Sequence, residues 1–180
     1  MANITGLTPG TWTVDQSHSA ISFSARHLMI SKVRGRFESF SGTITVTDDP
    51  LHSTVQAVAD TKSVTTGDES RDVHLRSADF FDVDNHPELS FVSTGIEHHG
   101  DDFRLAGLLT VKDVTKPVVF DLEFDGVSTD PWGNTKAGFT AETEINRKEF
   151  GLEWNVALEA GGVLVGEKVK IQLDIQAAKA

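Results

Sequence analysis

The chain has no cysteine among its 180 residues, so disulfides, thiolate metal sites and cysteine nucleophiles are excluded. It has no tyrosine either, against 11 phenylalanines, so its aromatic surfaces carry almost no hydroxyl groups. No apolar run approaches the roughly 20 residues that a membrane-spanning helix needs. The opening stretch MANITGLTPGTWTVD lacks the basic segment, apolar run and small-residue cleavage site of a secretory leader, which sets a cytoplasmic location as the expectation. Positive charge is scarce: 16 Lys and Arg against 27 Asp and Glu give a formal charge of −11. That balance opposes both nucleic-acid binding and electrostatic docking on an anionic membrane.

What remains is an ordinary globular composition, 38% hydrophobic and 24% charged, with no break that divides it. The expectation is one domain over residues 1–180, with residues 1–10 a loose lead-in carrying Gly6, Pro9 and Gly10. Most of the chain alternates with period two, the signature of half-buried strands. Between His18 and Met29, residues Ile21, Phe23 and Ala25 share a face with His27 and Met29. From Val118 to Asp125, apolar residues alternate with Val119, Asp121, Glu123 and Asp125. Val33–Asp48 is too long for one flat strand and changes phase between Phe37 and Phe40, which predicts a bulge or bend around Ser39 to Gly42. Roughly eight strands emerge, most longer than five or six residues and joined by hairpin-length turns. An antiparallel meander of that kind hides its apolar face and edges by closing, so the predicted fold is all-β, a tall eight-stranded antiparallel barrel.

The alternation stops once, over Thr65–Asp84. Thr66 and Glu69 have capping-box spacing, which predicts a short helix over about 67–78 at one end of the barrel. Val73, Leu75, Phe80 and Phe81 give it an apolar side directed to the barrel interior, and Arg71, Asp72, His74 and Arg76 concentrate its polar groups.

Two sets of candidate residues follow. The inward-facing apolar set comprises Ile21, Phe23 and Phe37 from the first strands, then Phe91, Leu109, Phe120 and Leu122, then Phe139, Val165, Val169 and Ile171. Leu75 and Phe81 join it from the helical stretch. Eight-stranded barrels either pack such residues into a filled core or leave room for one ligand, and the pattern alone allows both. Small residues on the same face, Ala25, Ala57, Gly107, Ala137 and Ala141, favour a cavity. The polar set is Arg71, His74, Arg147 and Glu167. Strict alternation puts Arg147 and Glu167 on the apolar faces of their strands, where a charge must pair with its neighbour, sit at the barrel mouth, or be turned outward by a bulge. Arg71 and His74 fit a head-group site, while Asp72 fits a structural tie.

Chemistry beyond binding finds no foothold. The seven histidines are scattered, His98 and His99 are adjacent in a hairpin and point apart, and no nucleophile elbow or phosphate loop occurs. Neither a metal nor a cofactor is expected, and catalysis is not. A filled-core protein acting through its loops or acidic surface on a protein partner is the rival reading. A homodimer is expected only if closure leaves long open edges.

Order and spacing along nearly the whole chain resemble the YceI-like family. The resemblance rests on Trp12-Thr13-Val14-Asp15, His18-Ser19, Gly35, Phe37 and Gly42, then Arg71-Asp72 and Asp79-Phe80-Phe81-Asp82. It continues through Gly107-Leu108-Leu109-Thr110, Thr115-Lys116-Pro117, Asn146-Arg147, Phe150-Gly151-Leu152 and Val165-Gly166-Glu167-Lys168-Val169. It implies an extended lipocalin-like barrel that holds a long isoprenoid lipid, such as a quinone tail or a polyprenyl phosphate, and binds or sequesters it without turnover. Many members of that family carry a secretory leader, a pattern from which the opening of this sequence departs.

Overall fold

The computed structural model describes residues 4–28, 30–155 and 165–180. The expectations that Met29 and Val163 share the apolar faces of their strands, and that positions 148–162 form a longer loop, fall at Met29, Val163 and positions 156–162 outside the described residues. Eleven strands are described: β1 Gly10–Val14, β2 Ala20–His27, β3 Ser31–Phe37, β4 Phe40–Val46, β5 Thr54–Asp60, β6 Val64–Thr65, β7 Glu88–His99, β8 Asp102–Val111, β9 Val114–Thr129, β10 Thr135–Asn146 and β11 Val165–Lys179. One α-helix, α1, spans Glu69–Arg76.

Antiparallel pairing runs β1-β4-β5-β7-β8-β9-β10-β11 and closes where β1 pairs with β11, making an eight-stranded barrel. The first three wall positions are each broken into two. β1 and β2 are halves of one strand: Trp12 pairs with Lys179, and after a 3-10 turn at Gln16–His18, Phe23 pairs with Ile171 of the same β11. Likewise β3 pairs with β2 while β4 pairs with β1 and β5, so the bend expected in Val33–Asp48 falls at Glu38 and Ser39. The two breaks are tied together, since the Phe40 amide donates to Gln16 Oε1 at 3.1 Å. After a third break, β6 pairs only with β3, through Arg36–Thr65 and Phe37–Val64. β9 at 16 residues and β11 at 15 are long enough to span roughly 50 Å at strand rise. Closure of β1 on β11 removes most of the open edge on which a homodimer was expected to depend.

The break between β6 and β7 is where α1 sits. Its N-cap is Asp68, whose carboxylate accepts from the Arg71 amide at 3.1 Å. The expected capping box does not form, because Thr66 is committed to a buried partner instead. Its amide and hydroxyl both donate to Asp72 Oδ1, at 2.8 and 2.5 Å, and Asp72 is 3% exposed. Asp72 takes the Thr66 amide that a box would give to Glu69, and Arg71 Nε occupies the hydroxyl as acceptor. At the other end of the helix, Arg76 donates to the carbonyls of Lys62 and Val64, fastening α1 to the chain around β6. Val73, expected on the interior side, is instead exposed. An eight-residue helix has little more than two turns, and of its two apolar residues only Leu75 takes an inward position.

Candidate functional site

Inside the barrel lies a cavity of about 710 Å³. It is bounded by Val46 and Ile175 toward the end away from α1, and by Leu75 and Val165 at the α1 end. The barrel is therefore not filled, which decides between the two readings the alternation left open. All thirteen residues of the inward-facing apolar set face this space: Ile21 and Phe23 from β2, Phe37 from β3, Leu75 and Phe81 from the helical connection, Phe91, Leu109, Phe120, Leu122 and Phe139 from the central strands, and Val165, Val169 and Ile171 from β11.

Phenylalanine rings make the walls by packing on one another. Phe91 and Phe120 meet edge to face at 5.4 Å, Phe37 and Phe81 at 5.6 Å, and Phe124 and Phe139 are tilted at 5.6 Å. Two rings are seated over glycines of the neighbouring strand. A Cβ on Gly107 would fall 2.3 Å from the Phe91 ring, and one on Gly35 would fall 2.4 Å from the Phe23 ring. Gly107 therefore makes room for Phe91 rather than for a ligand. Ala137 is likewise spent on packing, in a cluster with the fully buried Trp12. Ala25, Ala57 and Ala141 do border the cavity.

The polar groups of the lining are unevenly placed. Its charged side chains, among the described residues, are Arg26, Asp68, Arg71 and Arg147, and all four lie at the α1 end with His27 and His74. Arg71 is half committed: Nε donates to the Thr66 hydroxyl at 2.7 Å and Nη2 to the Thr66 carbonyl at 3.1 Å. Together with Asp72 this makes a small network pinned on Thr66, which supports the structural reading of Asp72. His74 Nε2 lies 2.8 Å from Asp79, and the imidazole meets Trp154 at 4.5 Å and Phe80 at 5.1 Å, both edge to face.

Arg147 is the buried cation of the site, 3% exposed. It follows β10, on a 3-10 turn capped by Asn146, and its guanidinium donates to the carbonyls of Gly166 at 2.9 Å, Val165 at 3.2 Å and Leu152. Burial lowers its pKa, with the charge of Glu167 acting the other way. The guanidinium also lies over the Phe80 ring at 5.9 Å. Glu167 does not pair with it. A register shift in β11 between Val165 and Val169 turns Glu167 outward, where it meets Lys148 at 3.0 Å. That contact, a hydrogen bond first and a charge attraction second, lowers the Glu167 pKa. Glu167 therefore leaves the site, corrected by the bulge that strict alternation does not register.

Several lining residues escaped the sequence reading, Trp154, Arg26 and Ile96 among them. Trp154 lies in a stretch with no period, and Arg26 alternates to the outer face yet reaches the cavity near the β2–β3 turn. Ile96 is inward because a bulge between Ser93 and Gly95 resets the phase of β7.

A YceI-like domain matches residues 12–177. A UPF0312 protein of Staphylococcus aureus is 38% identical over 164 residues, covering 89% of this chain and 93% of that protein. Among solved structures, Burkholderia cenocepacia BcnA superposes with a TM-score of 0.75 at 22% identity, covering 91% of this chain and 98% of its own. A polyisoprenoid binding domain from Saccharophagus degradans, implicated in plant cell wall breakdown, superposes with a TM-score of 0.73 at 15% identity, covering 96% of this chain and all of its own. At these identities the two structures establish the shared fold.

Proposed function

The chain belongs to the YceI-like domain family, and from that premise we propose that it is a non-enzymatic carrier of a long-chain isoprenoid lipid. The lipid is a quinone or polyprenyl phosphate, or a similar amphiphile. The observation that carries this reading is the polarity of the cavity: apolar along the barrel, charged at the α1 end alone. An amphiphile fits such a space in one direction, tail along the phenylalanine walls and head toward Arg71, His74 and Arg147. Each methylene withdrawn from water contributes about 0.8 kcal/mol, which a long tail multiplies and the ordering of a flexible chain partly offsets. The absence of tyrosine suits a tail with nothing to hydrogen-bond. The polyisoprenoid binding named for the Saccharophagus degradans domain supports the same class of ligand.

Arg147 has its remaining donors to offer a head group, since a guanidinium carries five N–H bonds and three carbonyls account for three of them. Extraction of the purified protein into organic solvent, followed by mass spectrometry, tests the proposal. A polyprenyl-chain lipid at near-stoichiometric amount is the expected result. A protein that yields no such lipid and takes up none when offered ubiquinone or polyprenyl phosphate overturns it and leaves the rival, action on a protein partner through the outer surface.

A further inference from the structure

We propose that the β2–β3 hairpin is a membrane-docking element that sets the α1 end of the barrel against an anionic lipid surface. The choice of a membrane as the partner rests on reading the cavity as a lipid site; the surface itself stands on separate observations. First, charge is segregated. Residues 16–37 contain no Asp or Glu at all, although the chain as a whole carries −11, and they contain Arg26, Lys32, Arg34 and Arg36. In the β2–β3 ladder Arg26 stands opposite Lys32, Ser24 opposite Arg34 and Ser22 opposite Arg36, so these cations share the outer face of one hairpin. Arg36 is paired with Glu38, whereas Arg26, Lys32 and Arg34 make no ion pair among the described residues. The expectation drawn from net charge, that an anionic membrane is disfavoured, averages over the chain, and the charge of residues 16–37 departs from that average.

Second, the hairpin tip is apolar and exposed. Ile30 is 80% exposed and Leu28 41%. Leu28 holds φ at +54°, a left-handed conformation that an asparagine or glycine takes with far less strain. A strained leucine facing water does nothing for the fold. Aliphatic side chains at a tip, with Arg26 and Lys32 two residues behind them on either strand, are the arrangement that buries apolar groups at the headgroup boundary and meets phosphates with the flanking charges.

Third, the tip adjoins the cavity. Arg26 is exposed yet also lines the cavity, and His27 beside it does too, so the interior reaches the surface at the hairpin. Docking there would place the polar end of the cavity at the depth where lipid head groups lie, a direct path for a tail between bilayer and barrel. The opposite end carries a comparable exposed side chain, Trp132, but in a turn organised by Asp130.

The test is co-sedimentation of delipidated protein with vesicles of phosphatidylcholine alone or mixed with phosphatidylglycerol, at low and at physiological ionic strength. Binding to the mixed vesicles and little to the neutral ones is expected. R26Q/K32Q/R34Q should weaken it about a hundredfold, and L28S/I30S should abolish retention at physiological salt, where screening leaves the apolar contact dominant. W132A should change nothing. Because all these positions are exposed, circular dichroism and the melting temperature should be unaltered, which separates docking from misfolding. No binding to mixed vesicles, binding insensitive to both hairpin variants, or binding lost in W132A would each overturn the proposal, the first pointing to an acidic protein partner. Vesicle binding by a protein whose cavity takes up no lipid leaves the docking surface standing and overturns only the carrier reading.

Discussion

Lys136 places its ammonium 3.0 Å from Asp15 Oδ2, tying β10 to the corner where the first strand breaks into β1 and β2. Asp15 is the anchor of that corner. It accepts from the amide and hydroxyl of Ser17, meets His18 Nδ1 at 2.8 Å, and takes Lys136 as its long-range partner. The Ser17 hydrogen bond, then those of His18 and Lys136, hold its carboxyl far below the usual carboxylate range.

A group whose folded pKa is depressed stabilises the fold fully above its unfolded value, near 4, and loses that contribution as pH falls through the folded value. Asp15→Asn is therefore expected to lower the melting temperature at pH 7. The gap to the parent should narrow as pH drops below about 4. Thermal unfolding by circular dichroism across pH 2–8 measures it; a gap that widens in acid contradicts the assignment.

Gly107 tests the seating of the phenylalanine wall. Gly107→Ala puts a methyl into the Phe91 ring and 2.6 Å from the Val92 carbonyl, which is backbone and cannot swing away. A loss of about 1–3 kcal/mol in urea unfolding is expected, the usual cost of overpacking. Gly95→Ala, where a Cβ meets nothing within 4 Å, should stay within about 0.5 kcal/mol.

Ala57→Phe separates stability from ligand capacity. Ala57 borders the cavity, so the added ring fills space that a tail would use. Affinity for a long-chain lipid should fall about tenfold, the equivalent of roughly two lost methylene contacts. The melting temperature should hold or rise, as it does when cavities are filled. A variant that binds lipid as the parent does would move the tail away from β5.

Arg147 and Glu167 should behave as unrelated residues. Arg147→Met leaves the carbonyls of Gly166, Val165 and Leu152 without their donor, at an expected cost of about 3 kcal/mol. Glu167→Gln removes an exposed contact with Lys148 and should leave the unfolding midpoint nearly unchanged. Denaturant titration of the single variants and the double variant should give nearly additive losses.

Alternation made the barrel and its lining legible, because a closed sheet with an apolar interior imposes period two on every strand. The eleven lining positions on strands follow from it, and so does the bend in Val33–Asp48, where Phe37 and Phe40 fall out of phase. The same rule misplaced Glu167 and passed over Ile96, both at register shifts: one extra residue in β7 inverts the parity beyond it, whereas two extra residues in β11 leave Val165 and Val169 inward and carry Glu167 out of the lining. The capping box failed for a different cause. Thr66 has the right spacing to Glu69, but spacing does not disclose that a buried aspartate three positions further on takes the Thr66 amide that Glu69 would have accepted. Arg26 shows a third kind of loss, since a side chain assigned outward by parity can still border the interior at the end of a ladder.

The pairing of Val14 with Ala177 carries a consequence for biosynthesis. The strand that shuts the ring is the last of the eight to be translated, at 5–20 residues per second roughly 8–30 s after the strand it must meet. Through that interval the growing sheet has an unpaired edge and a phenylalanine-rich face open to the cytosol or to a chaperone. Folding of this barrel is thus expected to be slow, dominated by contacts distant in sequence, and to depend in the cell on whatever shields an unfinished sheet.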